Sequence, residues 1–292
     1  MPVKDAAPAG NLDRGVVEGF GREWSRFDQS RRSEADLRAT FESYFRIFPW
    51  ERLPENAAGF DLGCGSGRWA RFVAGRVGSL LCIDASREAL AVARRNLDCC
   101  VNVGFLQASA GSLPLAARTF DFGYSLGVLH HVPSPALGLA DAVRLLKPGA
   151  PLLLYLYYAL DNCSWWYRAL WRLSNAGRVG ISALPTGPRH AVSELIALTV
   201  YWPLSRTAWV AQRLGLDCRR VPLAAYRDKP LYVLRTDALD RFGTRIEHRF
   251  SRDQVVALME SCGLERVSIS AHAPYWCAVG YAPAPGAEVA RP

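Results

Sequence analysis

The sequence predicts an α/β protein with a doubly wound, mostly parallel seven-stranded sheet and a mainly helical insertion. Three observations predict this fold. Strand-like and helix-like segments alternate from residue 58 to residue 158, three glycines at alternate positions follow the first strand-like segment, and a capped helix near the C-terminus precedes two more strand-like segments. Apolar strands that alternate with helices form a parallel sheet covered on both faces. Such sheets bind ligands at the carboxyl ends of their strands.

The first five strands follow one another in a regular rhythm. Their sequences are AGFDL, SLLCIDA, VNVGFLQA, TFDFGYSLGV and PLLLYLYY. Three helical patterns lie between them, SGRWARFVAGRV, SREALAVARRNLD and SPALGLADAVRLL. Ser86 is a suitable N-cap for the second of these helices because its hydroxyl can accept a hydrogen bond from a backbone N–H of the first turn.

The C-terminal region supplies the last helix and the last two strands. The helix SRDQVVALMESCG begins with a capping box formed by Ser251 and Gln254 and ends at Gly263. LERVSISAH and YWCAVGYA then have strand character. The short connection between them predicts that they pair antiparallel.

The alternation is lost between about residue 160 and residue 249. This stretch holds five of the nine tryptophans and a Pro/Gly break, ALPTGPRH. It contains 14 Lys and Arg against 7 Asp and Glu, whereas the whole chain has a net charge of +8. We expect an inserted, mostly helical subdomain. Its positive charge suits an anionic substrate, a nucleic acid or an acidic membrane surface, and also an ordinary solvated surface.

These patterns divide the chain into consecutive parts. The N-terminal sequence MPVKDAAPAGNLDRG has no signal-peptide apolar stretch and is predicted to be a loose tail. The parts are 1–57, a tail and cofactor-capping helices; 58–159, a cofactor-binding core; 160–249, a substrate or lid subdomain; 250–283, the last helix and strand pair; and 284–292, a tail.

Composition excludes several classes of protein. Half of the residues are apolar and 21% are charged, as in a globular protein with a sizeable core. No apolar run approaches the roughly 20 residues of a membrane-spanning helix. The eight cysteines form no Cys-X-X-Cys pair, and no His, Asp and Glu spacing indicates a metal site. We therefore expect a cytoplasmic protein with reduced thiols and no metal.

The glycine-rich segment FDLGCGSGRW is followed by an acidic residue at the end of the next strand. Gly63, Gly65 and Gly67 allow close approach of the backbone to a ligand. Asp84, about twenty residues later, can accept hydrogen bonds from ribose hydroxyls. Enzymes that use nicotinamide dinucleotides and enzymes that use S-adenosylmethionine share this spacing. Arg68 stands where the dinucleotide fingerprint has glycine, which disfavours the nicotinamide cofactors.

Four motifs occur in an order and at a spacing that resemble a known family. They are FDLGCGSG, CIDAS, LPLAARTFDFGYSLGVLHHV and RLLKPGAPLLLYLYY. Together they resemble the class I S-adenosylmethionine-dependent methyltransferases, in the group similar to the ubiquinone- and menaquinone-biosynthesis methyltransferases that act on small molecules. The resemblance covers residues 58–158 and, more weakly, residues 251–281. It implies S-adenosyl-L-methionine as the cofactor and a small-molecule acceptor.

The resemblance also implies which residues hold the methionine part of the cofactor. Gly63, Cys64 and Gly65 bring the backbone of the loop against it, and Asp61 helps to hold its amino group. Leu126, at the end of the fourth strand, contributes a backbone contact. Asp84 takes the ribose hydroxyls.

Other residues are implied to surround the adenine. Ala85 packs on the ring. Ser109 and Ala110 stand where the family has an acid followed by a small residue, so a hydroxyl or a backbone carbonyl must substitute for the acid. Phe20 and Trp24 lie in GFGREWSRF, which resembles a segment that caps the cofactor in some bacterial methyltransferases. Simple packing of these aromatic residues on the domain is the alternative.

Methyl transfer from a sulfonium is an in-line displacement, so the protein mainly supplies proximity and orientation. A base is needed only if the acceptor must lose a proton. His131 is the preferred candidate, with His130 beside it, although a structural role is equally open for this pair. Tyr158 ends the fifth strand and is a candidate to face the substrate. Asp228 and His248 lie in a polar and aromatic stretch that would suit a polar substrate or a salt-bridged connector.

Together these features predict methyl transfer to oxygen or nitrogen of a small, polar, anionic metabolite of the sugar, nucleotide-linked or natural-product type. A lipid-linked or nucleic-acid acceptor, a nicotinamide-dependent oxidoreductase and a non-catalytic cofactor-binding protein remain as alternatives. We expect no nucleic-acid partner and no stable membrane insertion, with peripheral membrane contact left open. The chain is expected to be a monomer or a homodimer.

Overall fold

The computed structural model describes residues 11–27, 33–217 and 221–284. The chain divides into two compact units. The first unit is Met1–Asn162 with Ile246–Pro292, and the second unit is Cys163–Arg245. Most of the two predicted tails, residues 1–10 and 285–292, lies outside the described residues.

The first unit contains a seven-stranded sheet, as the sequence predicts. The strands are β1 (Ala58–Leu62), β2 (Ser79–Asp84), β3 (Val103–Gln107), β4 (Phe122–Leu126), β5 (Pro151–Tyr155), β6 (Glu265–Ile269) and β7 (Cys277–Tyr281). Their order across the sheet is β3-β2-β1-β4-β5-β7-β6. The first five strands are parallel, and β7 is antiparallel to both β5 and β6.

In the described part of the first unit, six helices flank this sheet. They are α1 (Arg14–Arg26), α2 (Glu34–Phe45), α3 (Ala70–Ala74), α4 (Arg87–Asn96), α5 (Pro135–Arg144) and α10 (Arg252–Ser261). The predicted caps are present: the Ser86 hydroxyl accepts from the Ala89 N–H at the start of α4. Ser251 and Gln254 form the capping box of α10.

Neighbouring residues of the strands pack into two separate apolar cores, one on each face of the sheet. In β5, Leu152 and Leu154 belong to the core shared with α5 and α10. Leu153 belongs to the core shared with α2, α3 and α4. Successive side chains of a strand point to opposite faces, so a strand that is apolar at every position requires helices on both sides.

Three segments differ from the sequence prediction. The helix predicted over residues 66–77 is confined to Ala70–Ala74, because positive φ angles of +55° at Gly65 and +75° at Gly67 keep the preceding residues in a turn. The fifth strand ends at Tyr155 and not at residue 158. The connection between β6 and β7 spans residues 270–276, which is longer than a tight turn, yet the two strands pair antiparallel as predicted.

The second unit is helical. It contains α6 (Trp165–Ser182), α7 (Thr186–Ile196), α8 (Trp202–Arg213) and α9 (Leu231–Gly243), and a π-helical turn (Ala197–Tyr201) joins α7 to α8. Its main core consists of Ala197, Tyr201, Leu234, Ala238 and Phe242. Within the described part of the chain, no helix combines the length and the apolar character needed to cross a membrane.

Candidate cofactor-binding and active site

A cleft opens at the carboxyl ends of β1, β2 and β4, next to the position where the strand order reverses between β1 and β4. This switch point is where doubly wound sheets bind their ligands. The cleft has about 890 Å³ of open volume, part of it in contact with solvent. Its walls come from the glycine loop after β1, the ends of β2 and β4, the residues after β3, and helix α1 with the three residues before it.

The glycine loop forms the floor of the cleft and cannot carry side chains at two positions. Gly63 has a φ of +79°, and a Cβ there would lie 2.3 Å from a side-chain carbon of Val128. Gly65 has a φ of +55°, and a Cβ there would lie 2.9 Å from the ring of Trp24. Only glycine meets both the backbone and the space requirement. The loop backbone is therefore presented directly to the cleft.

Asp84 ties the end of β2 to the glycine loop. Its Oδ2 accepts a hydrogen bond of 2.9 Å from the Gly65 N–H, and its Oδ1 accepts one of 2.8 Å from the Ser86 N–H. Burial raises the pKa of Asp84, and the backbone N–H groups of Ser86, Gly65 and Ala85 oppose that rise. Each carboxylate oxygen has a further lone pair. Asp84 lines the cleft, so these lone pairs suit hydroxyl donors of a ligand.

Asp61 lies below the loop and does not line the cleft. It is 2% exposed, and its Oδ2 makes no hydrogen bond of ordinary geometry. Burial raises the pKa of Asp61 to about 8, an effect that the nearby Tyr124 hydroxyl and the Arg68 charge oppose and the Asp84 carboxylate strengthens. A buried carboxyl of this kind gains stability when a positive charge binds near it. Asp61 is therefore not placed for direct contact with a ligand, but its carboxyl can interact electrostatically with a positive charge bound in the cleft.

Aromatic side chains of α1 cover the loop. Trp24 packs on Gly65, and the guanidinium of Arg68 stands 5.0 Å from the Trp24 ring centre and 4.6 Å from the Trp69 ring centre. Phe20 also lines the cleft, with its ring centre 5.0 Å from that of His131. Phe20 and Trp24 both line the cleft, and their role as a cap over the cofactor stays a prediction.

Asn11 anchors the residues that precede helix α1, and the sequence analysis did not identify this role. Its side-chain amide donates to the carbonyls of Ala110 (2.8 Å) and Ser134 (3.0 Å) and accepts from the Ser134 N–H (2.8 Å). The Ser109 hydroxyl donates to the Asn11 carbonyl at 3.4 Å. The prediction of a loose tail is therefore wrong for residues 11–13, because hydrogen bonds to distant backbone groups leave no pattern in the local sequence.

Asp13 is a second residue of the cleft wall that the sequence analysis overlooked. Its Oδ1 accepts from the Val16 N–H at 2.9 Å and caps helix α1. Aspartate before a helical pattern is a recognised start signal, so this cap was detectable from sequence. Cys64, Ala85, Ser109, Ala110 and Leu126 complete the set of predicted cofactor residues that line the cleft.

His131 lies on the same wall, in a short 3-10 helix after β4. Its Nδ1 lies 2.7 Å from the carbonyl oxygen of Ile246. A carbonyl only accepts hydrogen bonds, so we assign the proton to Nδ1, and the lone pair of the neutral ring then lies on Nε2. His131 combines a fixed tautomer with a position at the cleft, as a general base requires.

The other predicted catalytic residues are not brought to the cleft. His130 is fully buried against Tyr157, with ring centres 3.8 Å apart, and burial lowers the pKa of His130 well below its usual value. His248 donates its backbone N–H to the His130 carbonyl. Tyr158 bridges to Phe250 beyond the end of β5.

Asp228 belongs to the second unit. Its side chain is 63% exposed and forms an ion pair of 3.4 Å with Arg227. The carboxylate is thus solvated, and its role in the polar and aromatic stretch 226–250 stays a prediction.

The cleft fits S-adenosylmethionine on its own chemistry. Asp84 offers carboxylate lone pairs, the glycine loop offers a bare backbone, and Asp61 is a buried carboxyl suited to a nearby positive charge. Within residues 11–27, 33–217 and 221–284, no group of three or more His, Cys, Asp and Glu side chains is placed to hold a metal ion.

Comparison with known proteins identifies the same region. Residues 60–154 match the methyltransferase domain family. The 2-phytyl-1,4-naphthoquinone methyltransferase of Thermosynechococcus vestitus is 32% identical over 145 residues, which is 46% of this chain and 63% of that protein. The ubiquinone biosynthesis O-methyltransferase of Hahella chejuensis is 36% identical over 94 residues, which is 32% of this chain and 40% of that protein. The chain thus spans less than two thirds of these relatives.

Two solved structures share the fold over most of the chain. One is a chain from the complex of the Haloferax volcanii Trm112 methyltransferase activator with a methyltransferase. It has a TM-score of 0.51 at 16% identity, over 92% of this chain and 97% of that chain. The other is an S-adenosylmethionine-dependent methyltransferase of Thermotoga maritima. It has a TM-score of 0.50 at 15% identity, over 90% of this chain and 99% of that chain.

The sequence match, the fold and the chemistry of the cleft agree with one another. The alternative of a nicotinamide-dependent enzyme gains no support from any of them. Residues 60–154 are therefore similar to the methyltransferase domain family, in agreement with the class I S-adenosylmethionine-dependent methyltransferases that the four sequence motifs predicted.

Proposed function

We propose that this protein transfers a methyl group from S-adenosylmethionine to a small-molecule acceptor. The observation that carries the proposal is the cleft itself, where Asp84 and the glycine loop face the same space as His131. When bound, S-adenosylmethionine supplies an electrophilic methyl carbon. The residues of this chain then bind, orient and shield the reactants from water.

Each part of the cleft wall has a role in holding the cofactor. The carboxylate of Asp84 accepts hydrogen bonds from the ribose hydroxyls, and the loop at Gly63 and Gly65 admits the methionine part. The Ser109 hydroxyl is engaged with the Asn11 carbonyl. Asp13 lies two residues after Asn11 and also lines the cleft. We therefore assign to Asp13 the role of accepting a hydrogen bond from the adenine amino group.

His131 is the candidate base of the reaction. An oxygen acceptor must lose its proton before or during attack, and the Nε2 lone pair of a neutral His131 can take it. A neutral amine acceptor needs no such help. The effect of removing His131 therefore reports which kind of atom is methylated.

Two classes of small-molecule acceptor are candidates. The polar, anionic metabolite that the sequence predicted is favoured by the second unit, which has 13 Lys and Arg against 5 Asp and Glu. A quinone-type acceptor is the second candidate, and the names of the relatives favour it. The predicted cytoplasmic location and the monomeric or dimeric state stay predictions.

We further propose that residues 160–249, which include the second unit, select the acceptor. The chain leaves the first unit after Asn162 and returns at Ile246, the residue whose carbonyl contacts His131. If the segment binds the acceptor, its return to the first unit at Ile246 would link acceptor binding to the position of the His131 ring. Asp228→Asn should then raise the KM for the acceptor with little change in the affinity for S-adenosylmethionine.

The test is formation of S-adenosylhomocysteine with two panels of acceptors, one of anionic metabolites and one of short-chain hydroquinones. With an active oxygen acceptor, His131→Ala should lower kcat on the order of 100-fold and leave cofactor affinity unchanged. His272→Ala is the matched control, because this histidine is exposed in the connection between β6 and β7. Absence of turnover in both panels, despite cofactor binding, would contradict the proposed activity.

A further inference from the structure

The second unit exposes an unusual amount of apolar surface. Among the described residues, twelve of the fourteen exposed large hydrophobic side chains belong to it, although it is less than a third of the chain. They are Trp165, Trp166, Leu170, Leu173, Val179, Leu184, Leu195, Leu198, Val200, Val210, Leu214 and Leu216. Apolar exposure on this scale, concentrated in one unit, marks an interaction surface and exceeds the scattered single residues of ordinary proteins.

Helix α6 is inverted relative to a helix of a water-soluble protein. Its buried residues are Arg178 and Ser182, whereas Trp165 is 75% exposed and Leu173 is 73% exposed. The guanidinium of Arg178 donates inward, to the Thr244 carbonyl at 2.8 Å and to Asn175 Oδ1 at 2.7 Å. The buried positions of α6 are therefore polar, and its large apolar side chains at Trp165 and Leu173 are exposed.

The spacing of the exposed residues makes this face continuous. Trp165, Trp166, Ala169, Leu170, Leu173, Ala176, Gly177 and Gly180 are all exposed. Residues three and four positions apart lie on the same side of a helix, so this set forms one stripe along α6. None of these eight residues is charged, and exposed Arg172 lies along one edge of the set, three residues after Ala169 and four before Ala176.

Helix α7 and the turn after it repeat the inversion. Arg189 is 7% exposed and Ser193 is 1% exposed, whereas Leu195 is 58% exposed. Leu198 and Val200, in the π-helical turn, are exposed as well. The arrangement with polar groups inside and apolar groups outside is thus a property of two helices and not of one residue.

Positive charge accompanies the apolar stripe. The second unit has 13 Lys and Arg against 5 Asp and Glu, a net charge of +8 that equals the charge of the whole chain. Arg168 and Arg172 are exposed on α6 beside the stripe. Elsewhere in the unit, arginines stack on tryptophans, with Arg206 4.3 Å from the Trp202 ring centre and Arg213 3.9 Å from that of Trp209.

We propose that the second unit docks on the surface of a lipid bilayer that contains anionic lipids, with α6 lying in the plane of the interface. A helix with leucine and tryptophan on one face and arginine beside it is the kind that enters the boundary between headgroups and acyl chains. The arginines would meet lipid phosphates, each adding to the attraction. This inference is independent of the identity of the methyl acceptor.

Charge and apolar surface together favour a bilayer over other occupants. A second copy of the unit would bring a charge of +8 against +8. A nucleic acid would satisfy the arginines but would leave Leu170 and Leu173 without a partner, because nucleic acids are bound through phosphate contacts and base stacking. An anionic bilayer satisfies both features.

Flotation of the full chain with vesicles tests the proposal. Vesicles of phosphatidylcholine with phosphatidylglycerol should carry the protein, and vesicles of phosphatidylcholine alone should carry much less. Trp165→Ser with Leu173→Ser should weaken the partition at least about tenfold. Arg168→Gln with Arg172→Gln should weaken binding to the anionic vesicles selectively. Leu137→Ser is the matched control, since Leu137 is 58% exposed on α5 of the first unit.

Helical circular dichroism and S-adenosylhomocysteine calorimetry on each variant show whether it is folded. If the first pair of substitutions disturbs folding, Leu214→Ser with Leu216→Ser replaces it. Three results would overturn the proposal: no vesicle binding, equal binding by all variants, or a lipid-independent dimer that the same substitutions dissociate. Binding of RNA in preference to vesicles would overturn it too.

Discussion

The two units of this protein place charge and apolar surface in opposite ways. The first unit has 22 basic and 22 acidic residues, and its strands and helices enclose two apolar cores. The second unit carries the whole net charge of +8, has a small core and exposes tryptophan and leucine to its surroundings. The main functional feature of the first unit is a cleft, whereas the main feature of the second unit is its exposed apolar and basic surface.

The difference follows from what each unit must do: the first unit holds a cleft in fixed geometry, and the second unit presents an outer surface. The first unit must hold a glycine loop, an acidic strand end and a cap in fixed register, so its interior is closely packed. The second unit buries arginine and serine and exposes tryptophan and leucine, a distribution that suits a surface in contact with a partner other than water.

The largest effect is expected at the glycine loop. Gly63→Ala introduces a Cβ 2.3 Å from Val128 at a φ of +79°. We expect the affinity for S-adenosylhomocysteine, measured by calorimetry, to fall at least about 100-fold, because both strain and overlap distort the floor of the cleft. Gly177→Ala, in α6, meets no atom within 4 Å and should leave the affinity unchanged.

Asp84→Ala should give the next largest loss. Removal of a carboxylate that accepts hydrogen bonds from ribose hydroxyls costs about 1.5–3 kcal/mol, or roughly a tenfold to 150-fold weaker affinity for S-adenosylmethionine. Asp228→Asn is the comparison in the second unit and should not alter cofactor affinity. Calorimetry that finds Asp84→Ala indistinguishable from the unmodified protein would remove the ribose assignment.

Asp61 should make the stability of the free protein depend on pH. Its pKa is about 8 in the folded protein, against 3.8 for an unperturbed aspartate. The folded state therefore binds the proton more tightly, and the free energy of unfolding falls as pH rises from about 4 to about 8. Urea denaturation across this range should show a smaller decline for Asp61→Asn. Asp253→Asn, at a side chain that is 94% exposed, should keep the full decline.

The smallest effect is expected at Asp13. Asp13→Ser keeps a capping hydroxyl for α1 but withdraws the carboxylate from the cleft. Affinity for S-adenosylhomocysteine should fall about tenfold, the low end of the scale for one hydrogen bond to a charged group. Affinity for S-inosylhomocysteine, which has no amino group on its purine, should not fall. An equal loss for both ligands would mean that Asp13 acts only through the helix.

The sequence predicts the sheet, its terminal antiparallel pair and the glycine loop, because these features depend on local periodicity and on glycine spacing. Asp84 was found for the same reason, since its distance from the loop along the chain is set by one helix. Asn11 was missed because it acts through hydrogen bonds to residues 99 and 123 positions away. His130 and Tyr158 do not line the cleft, and their catalytic roles stay predictions, because the sequence does not determine which of two adjacent side chains, such as His130 and His131, reaches the cleft.

Calorimetric titration with S-adenosylmethionine and with NAD tests the central claim most directly. The cleft should bind S-adenosylmethionine with a dissociation constant on the order of micromolar, roughly −8 kcal/mol, and this binding should depend on Asp84 and Gly63. NAD should give no heat, because Arg68 occupies the place of the third dinucleotide glycine. Binding of NAD together with no binding of S-adenosylmethionine would contradict the account.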